Sequence, residues 1–500
     1  MVVSLGYVRE RVFLQTEIDK LLQAVGGGRT DGTAYDTAWS ARLASRYPGL
    51  GFEASVEWLR RHQHEDGTWG ATLLHHHDRF ISTLAAIVVL AEVGDQPRDR
   101  RRIQRGEQAL WQYVGRLGRD DSDTIGFPAL SAGLAQEATA LGLDVPMPPS
   151  RYADKYNQRV KHFLNNPQRP WRDTLLIFSF DALHMAYRPG DEVLDGNNSV
   201  GISPSATAAL LLHQHEPKAM TYLRQIMAAE GTGATPHVLP IDTFEAAWTI
   251  NLLKSVGAIT PDNPGVQRAL ATLAGAWSPV QGVSFSSYRL VSDVDDTAAA
   301  FSALRWGGFD VSADVFAHFE MDDHFACHIG ETNPSLSAMV RLLSVVRHCY
   351  EHPKHDLWVE KLVSALYQHD GNGSFWWDKW HASPYYVNST ALSALHGIDD
   401  RLAHSRFKWI LRTQRADGGW GYYDVSTPEE TAYCLLGLLY WDEYVERVDT
   451  FVLENAVNFL MKRVSDERYE PLWIGKCLYT PHYPVKAAIL SALFGYFNRS

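Results

Sequence analysis

The stretch QRADGGWG at residues 414–421 keeps the spacing of glutamine, aspartate, glycine and tryptophan found in QHEDGTWG at residues 63–70. A weaker copy runs from Gln368 to Trp376. In such a loop we expect the glutamine to cap a helix end and the indole to pack over the turn. A loop and helix that recur in this way build curved arrays of helices, and enough of these units close into a toroid.

Helical patterns dominate the rest of the chain. Apolar residues recur every three or four positions in residues 80–90, 207–212, 244–253, 336–346, 431–439 and 485–493. A threonine followed by alanine or leucine opens many of these segments, at Thr37, Thr83, Thr207, Thr297, Thr390 and Thr431. Turn-forming glycine, proline, aspartate and asparagine separate them, and no convincing alternating strand occurs. The sequence therefore predicts an all-α fold.

Length and charge narrow the class of protein. Because 500 residues exceed one ordinary core, we expect two domains. A net charge of -12 argues against a nucleic-acid partner. The N-terminus does not resemble a signal peptide, and residues 84–90, the longest strongly apolar run, are too short to span a bilayer. The four cysteines form no CxxC pair, which predicts neither a zinc site nor a disulfide scaffold. A soluble, cytoplasmic protein is the simplest interpretation.

The stretch DVDDTA at residues 293–298 places three carboxylates within four positions. Neighbouring negative charges raise one another's pKa, so at least one of these groups tends to keep its proton. A protonated carboxylic acid in an apolar cavity suits the protonation of a carbon–carbon double bond. The simpler interpretation is an acidic helix start, because aspartate favours the N-terminal end of a helix.

Several motifs together resemble one family. DVDDTA, the two QxxDGxWG loops, YDTAW at residues 35–39 and SPSAT at residues 203–207 resemble bacterial class II diterpene cyclases, which include copalyl, halimadienyl and kolavenyl diphosphate synthases. The resemblance runs nearly end to end and implies two α/α-barrels, called β and γ, with the substrate cavity between them. It implies an N-terminal helix (1–25) that pairs with the β-type barrel, a γ-type barrel (26–245) and a β-type barrel with the DxDD motif (246–500).

The family's general acid is the middle carboxylate of DxDD, which corresponds to Asp295. Asp293 and Asp296 would hold it protonated yet acidic by hydrogen bonding and charge coupling. Asn333 resembles the asparagine that helps to orient the acid, although a buried asparagine commonly binds backbone instead.

The far end of the family's substrate, geranylgeranyl diphosphate, needs cations. Lys379 matches the family's lysine near the diphosphate, and Lys476 and Lys161 are further candidates; surface lysines are the alternative interpretation. The family's Mg²⁺ is associated with an acidic motif near Asp78, where this chain has His75, His76 and His77 in place of carboxylates. Asp78 is the predicted ligand. Three consecutive histidines cannot share one helix face, so we expect no transition-metal site.

Carbocations need shielding from water and aromatic faces. The resemblance places aromatic side chains along the cavity, namely Trp248, Trp376, Tyr385, Tyr386 and Tyr433, although each alone could be core packing. In copalyl-forming plant relatives a His–Asn pair holds the water that removes the final proton. Phe178 and His237 stand at those two positions here. The altered pair predicts a longer-lived cation and a rearranged product of clerodane (kolavenyl) or halimadane type.

No DDxxD motif of class I terpene synthases occurs in a plausible helix, so the product is expected to keep its diphosphate for a downstream class I terpene synthase or phosphatase. Copalyl diphosphate synthase is the alternative, as is a drimenyl diphosphate synthase acting on farnesyl diphosphate. A squalene–hopene-type cyclase is more distant, since it would be longer and carry more QW loops. An inverting glycosidase or a non-enzymatic helical scaffold would fit an α-helical toroid, but DVDDTA has no role in either.

Overall fold

The computed structural model describes residues 2–152, 154, 171–184, 187–188, 190, 192–289, 291–331, 333–371 and 373–499. The predicted all-α fold is confirmed, because helices make up nearly all the regular structure. Short antiparallel strand pairs join distant parts of the chain: Gly32–Thr33 pairs with Thr235–Pro236, and Trp473–Ile474 with Leu478–Tyr479.

The C-terminal half forms a closed ring of inner helices. Each packs against the next and the last packs against the first. In chain order, the described helices of this ring are Asp242–Ser255, Val294–Trp306, Leu336–Val346, Pro384–Leu395, Pro428–Tyr444 and His482–Phe497. Because these helices are buried on nearly every side, their sequences carry almost no polar face.

A second closed ring lies in the N-terminal half. Its described helices are Ala34–Ala41, His76–Val93, Phe127–Ala140, Phe180–Leu183 and Pro204–His213. The first of these packs against the last and so closes the ring. The protein is thus a double α-barrel.

Amphipathic helices surround both rings, with charged residues toward solvent and apolar residues against the inner helices. Around the N-terminal ring these are Glu53–Arg61, Gln96–Val114 and Pro217–Glu230, and around the C-terminal ring Pro264–Ala276, His355–Gln368, Asp400–Arg412 and Thr450–Met461. Helix Val2–Ala24 packs against His482–Phe497 and Pro264–Ala276. The short helices are Leu43–Arg46, Leu117–Arg119, Trp171–Asp173, Leu175–Ser179 and Ala313–Phe319.

The two QxxDGxWG loops have matching hydrogen bonds. Gln63 donates to the carbonyls of Gly67 (2.9 Å) and Arg102 (3.0 Å), and Gln414 donates to those of Gly418 (2.8 Å) and Val452 (2.9 Å). Each indole N–H donates to the carbonyl at the end of the preceding helix, at 2.8 Å. Both loop glycines have φ +89°, where a side chain would be strained. Glutamine and tryptophan thus both fix the turn, but the helix-end cap expected of the glutamine is made by the indole N–H, and the glutamine instead ties the loop to the following helix.

Buried apolar side chains form two large clusters that follow the two rings. One unites residues 34–223 with Cys477, and the other unites Leu14–Leu22, Ile202 and residues 238–497. The predicted boundary at residue 245 falls inside helix Asp242–Ser255, whose Phe244 already belongs to the second cluster. The division into 1–25, 26–245 and 246–500 stays a prediction. Among the described helices, none has the length and apolar character needed to cross a membrane.

Candidate active site

The DxDD carboxylates lie at the start of helix Val294–Trp306. Asp293 is extended (φ -138°, ψ 159°), and its Oδ1 accepts the Asp296 N–H at 2.7 Å. Asp293 is therefore the helix N-cap, so the simpler interpretation of the motif holds for this one residue. The next two carboxylates, Asp295 and Asp296, lie in the first turn of the helix.

All three carboxylates are nearly buried, with 4, 8 and 4% of Asp293, Asp295 and Asp296 exposed. Burial raises the pKa of each, because a charged carboxylate loses its hydration. The pKa of Asp295 rises to about 6. Burial and the neighbouring Asp293 raise the pKa of Asp296 well above its usual range. The motif thus retains protons near neutral pH.

Arg341 is the partner of Asp295. Its Nε donates to Asp295 Oδ1 at 2.6 Å, and another guanidinium nitrogen donates to the Tyr386 hydroxyl. The guanidinium stacks on the indole of Trp248, 4.0 Å from the ring centroid. Burial raises the pKa of the Asp295 carboxyl group and the Arg341 cation lowers it, so the two effects on this pKa oppose each other.

A cavity of about 1030 Å³ runs inside the C-terminal ring. Its lining includes Arg341, Trp248, Tyr386, Tyr433 and Ala298, the last being one turn along the helix from Asp295. Residues 248–499 supply the whole lining. The resemblance implied a cavity between the two barrels, whereas this cavity lies within one of them. Arg341 lines the cavity and binds Asp295, and so links the two.

Aromatic rings crowd the Asp295 end of this cavity. Tyr386 lies 4.9 Å from Tyr433 and 5.2 Å from Trp473 between ring centroids, and the Trp248 indole N–H donates to the Tyr386 hydroxyl at 3.2 Å. Phe244 extends the cluster, 4.2 Å from Trp248. A buried acid beside a chamber of electron-rich rings is an arrangement suited to forming and shielding a cation.

Comparisons with known proteins agree with this geometry. A type B diterpene cyclase from Mycobacterium tuberculosis is 31% identical over 497 residues, which cover 95% of this chain and 97% of that protein. The chain belongs to the class II diterpene cyclases. An ent-copalyl diphosphate synthase from Streptomyces sp. (strain KO-3988) is 30% identical over 508 residues, covering 97% and 95%.

Comparison with a solved structure supports the same fold for this cyclase. The ent-copalyl diphosphate synthase from Streptomyces platensis superimposes with a TM-score of 0.80, at 26% identity, over 96% of this chain and 99% of that one. No protein-family model matches the chain.

The structure does not bring every predicted residue to the acid end of the cyclase cavity. Trp376 lies under the Arg406 guanidinium, 3.7 Å from its ring centroid, and its backbone N–H donates to Asn388 at 3.0 Å. Tyr385 stacks on Trp409 with ring centroids 4.7 Å apart. Both rings make packing contacts and neither lines the cavity inside the C-terminal ring, so their place along the substrate stays a prediction.

Asn333 and Lys379 are in contact with each other near the protein surface. Asn333 is exposed, and its backbone carbonyl accepts the Lys379 ammonium at 2.5 Å. The contact to Asp295 predicted for Asn333 is made by Arg341 instead. Lys379 also pairs with Glu331 at 2.5 Å and keeps 14% of its side chain exposed, so it could exchange this partner for a phosphate. Lys161 lies outside the described residues.

Lys476 lies in a buried polar network between the barrels. Its ammonium donates to Asp181 (2.7 Å), Ser203 (2.7 Å) and Ser205 (2.8 Å), and neither charged side chain of the Lys476–Asp181 pair is exposed. Three acceptors use all three N–H groups. The predicted contact of Lys476 with a diphosphate is therefore corrected: this lysine neutralises a buried carboxylate and joins the two barrels.

His237 and Phe178, the altered terminating pair, do lie together. Their rings meet edge to face with centroids 5.9 Å apart, and Phe178 is half-buried. His237 Nδ1–H donates to Asp36 at 2.7 Å, while Nε2 accepts the Lys476 backbone N–H at 3.2 Å. Both ring nitrogens are occupied, so this imidazole has no free lone pair for a water molecule or a proton.

Asp78 does not fit a Mg²⁺ ligand. Its Oδ2 accepts the Ala71 N–H at 2.7 Å and its Oδ1 the Leu478 N–H at 2.9 Å, and only 1% of the residue is exposed. Burial raises the pKa of Asp78, whereas Mg²⁺ binds ionised carboxylates and keeps several waters. Asp78 instead ties a QxxDGxWG loop to strand Leu478–Tyr479. This prediction is corrected, and Mg²⁺ stays an expectation without a ligand set.

The three consecutive histidines behave differently from the sequence expectation. His75 is the extended N-cap residue (φ -103°, ψ 119°), and the helix begins only at His76. His76 Nδ1 lies 2.7 Å from Asp120 Oδ1, and His77 Nδ1 lies 2.7 Å from Asp120 Oδ2. His75 Nδ1 lies 3.5 Å from the same Oδ2. His75 precedes the helix, so the helix-face argument does not apply to it; His76 and His77 are adjacent in the first turn and contact different oxygens of the same carboxylate.

Proposed function

We propose that this cyclase protonates the terminal alkene of geranylgeranyl diphosphate with Asp295 and releases a bicyclic diterpenyl diphosphate of rearranged, clerodane or halimadane type. The observation that carries the proposal is the buried Asp295, bound to Arg341 beside an aromatic cavity. The diphosphate stays attached throughout, and Lys379 is the cation that we assign to it.

The acid step needs a carboxyl group that is protonated at rest and stable once it has lost its proton. Burial raises the pKa of Asp295 to about 6, so this carboxyl group keeps its proton at pH values below about 6. When the proton passes to the alkene carbon, the Arg341 guanidinium 2.6 Å away neutralises the resulting carboxylate. Arg341 therefore strengthens the acid, while burial prevents its early ionisation.

The cation step needs a large chamber with aromatic walls. A cavity of about 1030 Å³ is of the size that encloses small organic ligands. Its rings Trp248, Tyr386 and Tyr433 are electron-rich and stabilise positive charge without supplying a base, although Arg341 already occupies one face of Trp248. The burial of Tyr386 and Tyr433 raises both phenol pKa values, so the hydroxyls stay neutral.

The terminating step supports a rearranged product. Because both His237 nitrogens are engaged and Phe178 offers no polar atom, this pair cannot hold a proton-accepting water as a His–Asn pair does. A bicyclic cation that is not deprotonated early can undergo hydride and methyl shifts. Unrearranged copalyl diphosphate is the second candidate, since similar bacterial proteins from two Streptomyces strains are named ent-copalyl diphosphate synthases.

Product identification tests the proposal. The purified enzyme is incubated with geranylgeranyl diphosphate and Mg²⁺, and the product is dephosphorylated for GC–MS and NMR. We expect a clerodane or halimadane alcohol, and copalol as the main product would contradict the rearrangement. Parallel incubation with farnesyl diphosphate separates the drimenyl alternative, which predicts faster turnover of the shorter substrate.

Replacing Arg341 by glutamine is expected to shift the pH dependence of kcat/KM. The protonated form of Asp295 is the donor, and its pKa is about 6. Wild-type kcat/KM is therefore expected to be full at pH values below about 6 and to fall about tenfold per pH unit above it. Removing the cation that lowers this pKa moves the falling limb to higher pH. Measurement from pH 5 to 9 checks this, and a limb at the wild-type pH would count against the role of Arg341.

Arg305→Gln is the control for that experiment. Arg305 lies on the same helix as Asp295, but it pairs with Glu351 at the surface, where 47% of its side chain is exposed. Its loss should leave the limb where it is in the wild type.

Substituting Phe178→His is expected to raise the fraction of unrearranged copalyl-type product. The new imidazole would stand about 6 Å from His237 and supply the polar atom that the pair lacks. Phe178→Leu, which removes the ring without adding a base, is the matched control and should not raise it. GC–MS of dephosphorylated products gives the ratio; equal ratios in the two variants would contradict the assignment of this pair to termination.

A further inference from the structure

A buried carboxylate near the acid end of the cavity takes no part in the protonation step. Glu429 lies in the first turn of helix Pro428–Tyr444, and only 1% of the residue is exposed. Its Oε1 accepts the Trp473 indole N–H at 2.7 Å and lies 3.3 Å from His381 Nε2. Its second oxygen, Oε2, is buried and makes no hydrogen bond within the described part of the chain. A buried carboxylate oxygen without a partner costs free energy, so packing alone does not account for it.

The Tyr433 side chain links this carboxylate to the cavity. Tyr433 follows Glu429 by four residues, so the two side chains share one face of the helix. The Tyr433 ring lines the cavity, and its buried hydroxyl also lacks a hydrogen bond among the described residues. Burial raises the pKa of this phenol well above its usual range, and the nearby Glu429 charge raises it further. Two polar groups without partners thus lie beside each other at the cavity wall.

A rearranged product places the last proton loss near these two groups. Cyclisation carries the positive charge away from the alkene carbon that Asp295 protonates and onto the second ring. Hydride and methyl shifts between neighbouring carbons move the charge back, and a complete clerodane series ends on the carbon next to the protonated one. The last C–H bond then breaks at the acid end, where Tyr433 lies 4.9 Å from Tyr386 between ring centroids. Asp295 is a poor acceptor there, because Arg341 neutralises the carboxylate that it becomes.

We propose that Tyr433 and Glu429 take the final proton of the rearranged reaction, an inference that rests on the proposed function. The C–H bond beside the cation breaks, and its electron pair forms the new carbon–carbon double bond. The released proton passes to the Tyr433 hydroxyl oxygen, while the proton of that hydroxyl passes to Glu429 Oε2. Catalytic hydrogen bonds are often poorly aligned until substrate binds, and this one forms in the complex. Tyr433 stays neutral throughout, and Glu429 returns the proton to solvent before the next turnover.

Glu429→Gln and Tyr433→Phe test this proton transfer through the product. Glutamine can still accept the Trp473 N–H, and phenylalanine keeps the aromatic ring, but neither variant can pass the proton on. In each we expect the fraction of the wild-type alkene to fall on the order of tenfold. Isomers with a displaced double bond, or bicyclic alcohols from capture of the cation by water, should replace it. The double variant should show no larger change. GC–MS of dephosphorylated products gives the fractions, and circular dichroism reports folding.

Glu430→Gln is the matched control. Glu430 is also buried, but its oxygens accept the Ser383 and Thr427 hydroxyls and the Tyr422 N–H, so we expect the wild-type product pattern. Should Glu429→Gln misfold, Tyr433→Phe alone decides.

The wild-type product separates the two levels of the account. Copalol from the wild type would refute the rearrangement, and this inference with it. A rearranged wild-type product that persists unchanged in either folded variant would overturn only the proton transfer through Tyr433 and Glu429. An equal change in Glu430→Gln would assign the effect to packing and would also overturn it.

Discussion

Asp295→Asn is expected to lower kcat for geranylgeranyl diphosphate by about 10²–10⁴-fold, the usual contribution of a general acid, and to leave the fold intact. Asparagine keeps the shape of the side chain, and its amide oxygen can still accept the Arg341 Nε–H that now lies 2.6 Å from Asp295. It has no proton of suitable acidity for an alkene. Turnover is measured by product formation and folding by circular dichroism.

The control is Asp310→Asn, an exposed carboxylate beyond the end of the same helix. It should turn over at the wild-type rate. If Asp295→Asn kept more than about a tenth of wild-type kcat, Asp295 could not be the acid, and Asp296, whose pKa is raised further, would take its place in the account.

Lys476→Met is expected to destabilise the protein by about 3–5 kcal/mol, because it leaves Asp181 buried without a counter-charge. Neither member of this pair is exposed, and the ammonium holds three acceptors. The Tyr35 hydroxyl also donates to Asp181 but carries no charge to replace the lysine. Urea unfolding followed by circular dichroism gives the change in free energy of unfolding.

Two further variants separate charge from volume in that experiment. Lys476→Met combined with Asp181→Asn removes both charges and should recover part of the lost stability. Lys486→Met breaks a partly exposed pair with Glu17 (3.4 Å) and should cost less than about 1 kcal/mol. Unchanged stability in Lys476→Met, with a raised KM for the substrate, would instead restore the diphosphate-binding role predicted from the sequence.

The fold could be predicted because its signals are local and repeated. The glutamine and tryptophan of each QxxDGxWG loop bond to backbone within their own helix–loop unit, so their spacing alone reports the turn. The DxDD motif likewise places an N-cap and two carboxylates in the first turn of a helix, whatever packs around it. These features need no knowledge of distant contacts.

The electrostatic partners could not be predicted in the same way. Arg341 is 46 residues from Asp295, and Lys476 is 295 residues from Asp181. One signal was present: Arg341 is the only charged residue in the apolar helix Leu336–Val346, and a charge in such a helix needs a buried partner. Lys476 offered no such signal, because a lysine in a glycine-containing turn is ordinarily exposed.

The residues near the expected metal motif contact groups that sequence spacing does not show. His75, His76 and His77 were treated as one helical segment, but the helix begins after His75, and this one-residue difference brings three rings to Asp120. The resemblance to the family's acidic motif predicts Asp78, whereas the backbone N–H groups of Ala71 and Leu478 occupy both its oxygens. The helix start after His75 is a boundary that sequence patterns place poorly. The Leu478 N–H lies 400 residues from Asp78, so sequence spacing does not show that contact.

Cyclisation in D₂O tests most directly the claim that Asp295 starts the reaction by protonating carbon. Asp295 exchanges its proton with solvent before each turnover, so the bicyclic cation should carry one deuterium at the carbon that was the terminal alkene. The diterpenyl diphosphate keeps this label wherever its last proton leaves from a different carbon. Mass spectrometry and ²H NMR locate the label, and a phosphate assay follows free diphosphate. A product that loses its last proton from a different carbon and still carries no deuterium, or diphosphate released in step with product, would contradict the account.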